Sequence, residues 1–392
     1  MAAVRLAGAG IVSCYGSGCA PALKGLQAGP HELLPLDDVE LPGGMTAKVS
    51  LIPRHLYAAG ASGFSGLCRS AIDQCLAHAG YADDAVLQDE ACALIVGSGG
   101  FLFIAEAEVR RQRMAHHPVT APIHAPNWAA QQIAAAYGMR GRQFTLTTAC
   151  SSSANALLLA SEMLNAGLCK RALVIGAEGL CATTLSGFQS LMLLSPDGCR
   201  PFDKHRQGLQ LGEGLASLLL ETVPSASSAL DKGCYLRGGA NLCDTYHPAS
   251  AAPAGGIMAE VMQQALASSG LTPGAIDLVK IHGVGSRDSD GAEAAALHQV
   301  FGRRRPPLTG LKRYIGHTLG ASGALETALL SGCLAHNFIP ATAGFATLDD
   351  DLALSPLRGA MNAAPASAAR HVLMNYFGFG GNYTSLVMRH VT

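Results

Sequence analysis

Short apolar runs alternate with helix-length stretches along the whole chain, and this alternation predicts an α/β class with substantial parallel strand pairing. The composition agrees: 392 residues, 49% hydrophobic, only 14% charged and with 46 glycines, predict a large core, close helix packing and a broad subunit interface. A third observation concerns two stretches rich in Ala, Ser and Leu, one after Cys150 and one after His317, each preceded by a Gly/Thr-rich turn. They hint at two similar halves with paired central helices.

In chain order, Val4 to Val12 reads as a strand, Gly16 to Gly18 as a turn and Ala20 to Ala28 as a short helix. Leu33 to Pro53 is rich in Pro and Gly and reads as irregular, whereas Ser62 to Ala79 carries apolar residues at helical spacing. Ala91 to Val96 is a buried strand that ends in the tight loop Gly97-Ser98-Gly99-Gly100. Phe101 and Phe103 follow, either as the wall of a pocket or as ordinary core. Asn127 to Tyr137 is a helix closed by Gly138 to Gly141. Gln143 to Thr147 favours a strand and leads through a turn into a buried helix that ends near Gly167. Arg171 to Ile175 and Leu215 to Glu221 are strands on either side of the irregular stretch Leu191 to Gly208. Pro224 to Lys232, rich in Ser and Ala, is the candidate join between halves. Beyond it, Cys234 to Ala240, Ile276 to Ile281, His371 to Asn375 and Ser385 to Met388 read as strands. Gly255 to Ser269, Asp290 to Phe301 and Ala321 to Leu334 read as helices.

A net charge of -1 gives no basic bias toward nucleic acid, and the apolar content argues against disorder. The twelve cysteines are scattered without a CxxC pair, so neither a zinc site nor a redox dithiol is signalled. In a chain of this length they read as reduced thiols of a cytoplasmic protein. Met1 to Gly18 has only Arg5 as a charge and reads as a strand and turn rather than a signal peptide. Helix-length apolar runs are broken by Gly, Pro or charge, so no membrane span is expected.

Four motifs carry chemistry. Cys150 lies at a strand-to-helix junction among small residues, where the free N–H groups and dipole of a helix start favour a thiolate. A buried structural cysteine is the alternative reading. His282 stands at a strand end beside Gly283 and Gly285, which permit close ligand approach, and a turn histidine held by backbone would look the same. His317 has Lys312 five residues before it and Glu326 nine residues after it. The loop Phe377-Gly378-Phe379-Gly380-Gly381-Asn382 would supply backbone N–H groups for an anion-holding nest, or be a simple hairpin turn.

In order along the chain, TTACSSSANAL, IHGVGS, LKRYIGHTLGASGALE and NYFGFGGN resemble the signature blocks of the β-ketoacyl-acyl-carrier-protein synthases of types I and II, with PFDKHRQGLQLGEG as a fifth block. The resemblance spans nearly the whole chain. It implies a thiolase-like fold of two similar halves in five αβαβα layers, residues 1–230 carrying the nucleophile and 231–392 the two histidine motifs. It implies a dimer, a homodimer or a heterodimer with a second ketosynthase-like subunit. By the same resemblance Cys150 takes the acyl chain, and His282 and His317 bind the malonyl thioester carbonyl and promote decarboxylation. Lys312 orders the site electrostatically and Glu326 is the buried acid of that network. The backbone N–H groups of Cys150 and Phe379 form the oxyanion hole, and Phe377 and Phe379 sit on the gating loop. No cofactor or metal is implied, because the substrates ride on the phosphopantetheine of an acyl carrier protein.

A Cys with two His also separates this chain from relatives that start chains, which resemble it but carry Asn where His317 stands. Degradative thiolases usually have a second Cys where this chain has Phe379. Three departures from the family pattern stand out. Val284 replaces a threonine that helps bind pantetheine, while Ser286 keeps the second hydroxyl of that motif. Gly100, ahead of Phe101, replaces a bulky aliphatic and would lengthen or reshape the acyl pocket. Tyr383 follows Asn382 where a small residue is more usual. These departures suggest a specialised synthase for polyketide or polyene chains. The competing reading is a chain-length-setting subunit of a heterodimer with little condensing activity of its own. Such subunits generally lose the cysteine that this chain keeps. Arg110, Arg111, Arg113, Lys204, Arg206 and Arg303 to Arg305 are candidates for carrier docking or for a merely solvated face.

Overall fold

A computed structural model describes residues 3–36, 47–57, 63–118, 127–223, 230–362 and 369–392. In the first half the strands are β1 (Ala3–Ser13), β2 (Gly16–Ser17), β3 (Leu34–Pro35), β4 (Lys48–Val49), β5 (Cys92–Gly97), β6 (Gln143–Leu146), β7 (Arg171–Glu178) and β8 (Gly214–Val223). The second half adds β9 (Gly233–Cys243), β10 (Leu278–Lys280), β11 (Leu308–Thr309), β12 (Phe338–Ile339), β13 (Met361–Asn362), β14 (Ala369–Phe377) and β15 (Asn382–Val391). The helices are α1 (Cys19–Ala28), α2 (Gly63–His78), α3 (Leu102–Met114), α4 (Trp128–Tyr137), α5 (Ser152–Asn165), α6 (Ala182–Ser190), α7 (Gly256–Ser268), α8 (Arg287–Phe301), α9 (Lys312–Ile315) and α10 (Ser322–Ala335).

Pairing runs β6-β5-β7-β8-β1 in the first half and β11-β10-β14-β15-β9 in the second. Counted by appearance, each half has the order third, second, fourth, fifth, first. In each, the first three strands of that path run parallel and the last two join antiparallel. β1 meets β9 at Val4↔Leu236 and Arg5↔Tyr235, which joins the two five-stranded units. The continuous apolar run of β5 is explained by this placement: all six of its residues are buried, as in a parallel strand covered on both faces.

Three layers of helices cover these strands. α2 lies on β1 and β8, α4 on β5 and β6, and α7 on β9 and β15 with α8 beside it. Between the sheets lie α5 and α10, packed against each other. Three large apolar clusters fill the spaces, one around α5 and α10, one under α2 and α4, and one under α7 and α8. The result is a five-layered αβαβα thiolase-like fold. It explains why α10 is largely apolar around its circumference, since eleven of its fourteen residues are buried.

The small residues of α5 and α10 let their backbones touch. A Cβ on Gly323 would lie 2.1 Å from the backbone nitrogen of Ala154. The turns that start the two helices repeat each other. Ala149–Ser151 and Leu319–Ala321 are both 3-10 turns, and their first residues share a left-handed backbone, with φ 50° at Ala149 and 43° at Leu319. Gly320 thus occupies in the second half the place that Cys150 takes in the first.

Three helices, α3, α6 and the short α9, were not expected from the sequence. α3 has no fully buried residue, so its apolar stripe is weak. Phe101, only 9% exposed, adopts a left-handed backbone and packs with Phe103 edge-on against Phe64, so both serve the core. Most of the expected join, residues 224–229, lies outside the described residues, as do 37–46 of the stretch read as irregular. Ser62, expected to start α2, lies outside them too.

Candidate active site

Cys150 ends up 5% exposed in the turn between β6 and α5. The glycine loop after β14 presses directly on this turn. A Cβ on Gly378 would come within 3.0 Å of the Thr148 carbonyl oxygen and 3.2 Å of the Cys150 nitrogen. A polar clasp holds the two together: Asn382 Oδ1 accepts from Ser151 Oγ (2.7 Å), Asn155 Nδ2 (2.8 Å) and Asn241 Nδ2 (2.8 Å). Thr384 Oγ1 in turn donates to Asn155 Oδ1 at 2.6 Å.

The charge state of Cys150 differs from expectation. Burial pushes the Cys150 thiol up to about 11, and Glu178 adds to the rise. The Phe379 N–H, the Lys312 ammonium and the N–H of Cys150 itself pull the other way without overcoming it. These pulls favour a thiolate, but desolvation outweighs them and the resting group is a thiol. The backbone N–H groups of Phe379 and Cys150 both bond the sulfur.

His282 follows β10 in a loop fastened by two carboxylates of α8. Glu293 accepts from the backbone N–H groups of His282 (2.8 Å) and Gly283 (2.9 Å). Asp290 accepts from Val284 and Gly285, both at 3.1 Å, and from Phe202 at 2.7 Å. Burial pushes Asp290 up to about 7. Ser286 caps α8 by accepting from the Ser289 N–H. His317 is pinned through its backbone: its N–H donates to the Gln210 carbonyl at 2.6 Å and its carbonyl accepts from Gly212 at 3.1 Å.

The two imidazoles stand edge to face with centroids 5.5 Å apart. Burial holds both well below the ordinary histidine value, and the nearby Lys312 and Lys280 ammoniums reinforce this, so both rings are neutral at pH 7. The Phe377 N–H donates to His282 Nδ1 at 3.3 Å, which leaves the His282 ring proton on Nε2 as a donor. Ser322 Oγ lies 3.2 Å from His317 Nδ1. Behind the pair, Lys312 donates to Glu326 Oε1, and Lys280 to Glu326 Oε2 at 2.6 Å, with none of the three side chains more than 1% exposed.

Two cavities meet at Cys150. One, of about 280 Å³, is lined by Cys150, His282, His317, Val284, Ser286 and Phe379 among others, with Arg206 and Arg287 also on its wall. The other, of about 470 Å³, extends from Cys150 past Glu178, Phe188 and Leu319 to Leu102 and Leu191. Phe188 stacks on Phe379 at 5.5 Å, and both rings border both cavities. Phe377 is the last residue of β14, at the root of the loop rather than in it, packed on Tyr383 and His282. Gly100 and Phe101 line neither cavity; Gly99 borders the second. Of the candidate docking cations, Arg206 is buried and paired with Asp349 at 2.5 Å. Among the described residues no group of three or more His, Cys, Asp or Glu side chains could hold a metal ion, and no helix is long and apolar enough to cross a membrane.

Several functional contacts escaped sequence reasoning. Asn382 and Asn155 lay inside quoted motifs, but their meeting joins residues 227 positions apart. Asp290 and Glu293 sit three apart on α8, a spacing that puts two carboxyls on one face and was available as a signal. Lys280 is a charge inside an apolar strand, the plainest signal missed. Glu178, pushed up to about 7 by burial, accepts from the N–H groups of Gly99 (2.7 Å) and Gly320 (3.1 Å) at the floor of the second cavity.

Comparison with known proteins agrees with this arrangement. Residues 58–226 match the family model "Beta-ketoacyl synthase, N-terminal domain" and residues 234–346 match "Beta-ketoacyl synthase, C-terminal domain". The 3-oxoacyl-[acyl-carrier-protein] synthase 2 of Mycobacterium tuberculosis is 30% identical over 301 residues, 74% of this chain and 72% of that protein. Nodulation protein E of Rhizobium leguminosarum bv. trifolii is 28% identical over 414 residues, 99% of each chain. Among solved structures, a β-ketoacyl synthase from Burkholderia phymatum superposes with a TM-score of 0.86 at 28% identity, covering 100% of both chains. A chain of a ketosynthase in complex with its chain length factor from Xenorhabdus doucetiae gives 0.86 at 26% identity, covering 100% of this chain and 98% of that one. Matched in both halves by the family models, the chain belongs to the β-ketoacyl synthase family.

Proposed function

We propose that this protein is an elongating ketosynthase that condenses an acyl group held on Cys150 with malonyl-acyl-carrier protein. The observation that carries this is the meeting of Cys150, His282 and His317 at one cavity beside the Phe379 N–H. In the first step an imidazole takes the Cys150 proton and Sγ attacks the thioester carbonyl of the acyl carrier. The Phe379 and Cys150 N–H groups hold the oxyanion until the carrier thiolate leaves and takes up the proton. In the second step the imidazole N–H groups bind the malonyl thioester oxygen. The carboxylate leaves as CO₂, and the electrons of the broken C–C bond form an enolate. Neutral imidazoles suit this step, because they donate to the enolate without first giving it a proton. In the third step the enolate carbon attacks the acyl carbonyl and the C–S bond breaks. The thiolate of Cys150 takes a proton from water, and the product is a β-ketoacyl carrier.

Residues 1–230 supply the nucleophile and 231–392 the decarboxylating pair. Lys312 and Glu326 order that pair. The cavity with Arg206 and Arg287 on its wall suits the carrier arm, with Ser286 beside it, and the cavity past Leu102 and Leu191 suits the acyl chain. Gly100 and Phe101 act on the acyl chain only through the shape of the loop before α3. The reaction runs on thioesters of phosphopantetheine and needs no cofactor. The names of the relatives point to an acyl carrier protein as partner, and the Xenorhabdus complex to a heterodimer with a second ketosynthase-like subunit, a homodimer being the other arrangement. Twelve unpaired cysteines fit a reducing cytoplasm.

The test is intact-protein mass spectrometry after incubation with acyl carriers of several chain lengths, beside Cys150→Ala. An acyl-sized gain absent from the variant, then discharged by malonyl carrier as a β-ketoacyl product, is the expected result. No loading, alone or with a co-expressed partner, would overturn it and favour a chain-length subunit.

A further inference from the structure

We infer that Lys280 is a second positioning cation of the decarboxylation site: by sharing Glu326 with Lys312 it adds a positive charge behind His282 and His317 that keeps both imidazoles unprotonated and favours the enolate. This rests on the condensing reading given above. Lys280 closes β10 two residues before His282 and is 0% exposed. Its ammonium donates to Glu326 Oε2 and to the Asn375 carbonyl, each at 2.6 Å, and stands 3.6 Å from the centroid of the Tyr376 ring. Lys312 takes the other oxygen of the same carboxylate. One carboxylate thus answers two buried ammoniums. A carbonyl and a ring face, which carry no full charge, complete the shell of Lys280.

The titratable groups of this balance come from several elements around Lys280. α10 supplies Glu326, α9 Lys312, α8 Glu293, β14 Tyr376, and the two loops His282 and His317. Glu293 spends its oxygens on the N–H groups of His282 and Gly283 and on Asn375 Nδ2, and burial pushes it up, so it answers Lys280 only in part. Burial raises Glu326, but the two ammoniums outweigh it and hold the carboxylate ionised. Lys280 itself is pulled down to about 8, by burial first and by Lys312 against the opposing pull of Glu326. A purely structural role would be served at lower cost by an apolar residue, since β10 is otherwise apolar and fully buried.

The sign of the effect is set by like charges: a removed cation lets the imidazoles protonate at higher pH. In Lys280→Met the acid limb of CO₂ release from malonyl carrier should move up by about one pH unit. The kcat should fall about tenfold with KM little changed, as when an interaction made only in the transition state is lost. The far-UV circular dichroism spectrum and the urea midpoint of the variant report that it is folded. NMR titration of ¹³C-labelled histidine rings reads the same shift with no substrate present. The wild-type protein gives an independent measurement, because its CO₂ release should decline as pH rises through about 8, where Lys280 loses its charge. An acid limb and histidine titration that do not move in Lys280→Met, however slow the variant, would overturn the proposal. So would a wild-type rate that stays flat from neutral pH to pH 9, even if no variant folds. Failure of the wild-type protein to load Cys150 would instead overturn the condensing reading, while the histidine titration still decides the role of Lys280.

Discussion

Replacing Gly323 with alanine tests the contact that sets the distance between the nucleophile and the histidine pair. The new Cβ would sit 2.1 Å from the Ala154 nitrogen and 2.6 Å from both Ala154 Cα and the Ser153 carbonyl carbon. All three are backbone atoms, so no side chain can turn aside. Comfortable carbon contacts begin near about 3.5 Å, so α5 and α10 must part by more than about 1 Å. The Ala324 N–H bond to Ser153 Oγ, 2.9 Å long, lies beside the contact and would stretch with it. Overpacking of this kind costs about 3 kcal/mol, at the upper end for one added methyl because two helix backbones collide. The functional consequence is separable from stability. Cys150 lies in the turn into α5 and His317 precedes the turn into α10, so parting the helices misplaces one against the other. A displacement of about 1 Å costs on the order of 100-fold in rate. Urea denaturation gives the stability change, and the ratio of β-ketoacyl product formed to Cys150 acylation isolates the geometric loss. Wild-type stability together with wild-type condensation would refute the close-packed contact and the distance argument built on it.

Glu326→Gln leaves two buried ammoniums facing a neutral amide, so it should destabilise by about 3 to 5 kcal/mol in urea denaturation, and a loss under 1 kcal/mol would refute the shared-carboxylate arrangement. The same group makes the wild type acid-sensitive. The two lysines hold Glu326 below 4.5 in the folded protein, so its contribution is fully present above that value and is lost as pH falls through the folded pKa. Val284→Thr adds a hydroxyl to a side chain that is 5% exposed in the wall of the cavity assigned to the carrier arm. KM for carrier thioesters should fall about fivefold with kcat within about twofold, the worth of one neutral hydrogen bond, and an unchanged KM would show that pantetheine does not reach this wall.

The α/β class, most strands and the paired small-residue helices were legible because burial on two faces forces continuous apolar runs, and close backbones force Gly, Ala and Ser, both visible along a single chain. Cys150, His282, Lys312 and His317 were legible for a related reason: each stands in a short run whose glycines and small residues serve its own loop. α3 was not, because a helix with no buried face leaves no strong period. The charge of Cys150 was misjudged because a helix start is a local property, whereas desolvation depends on everything packed around the sulfur. Asn382 bonding Asn155, Lys280 sharing Glu326, and Asp290 and Glu293 fastening the His282 loop are decisions of the tertiary structure alone. Each joins groups from different elements, and the energy of a buried charge or hydrogen bond depends on the partner that folding brings to it. The sequence by itself determined which chemistry the chain carries; only the folded core decided how that chemistry is charged and held.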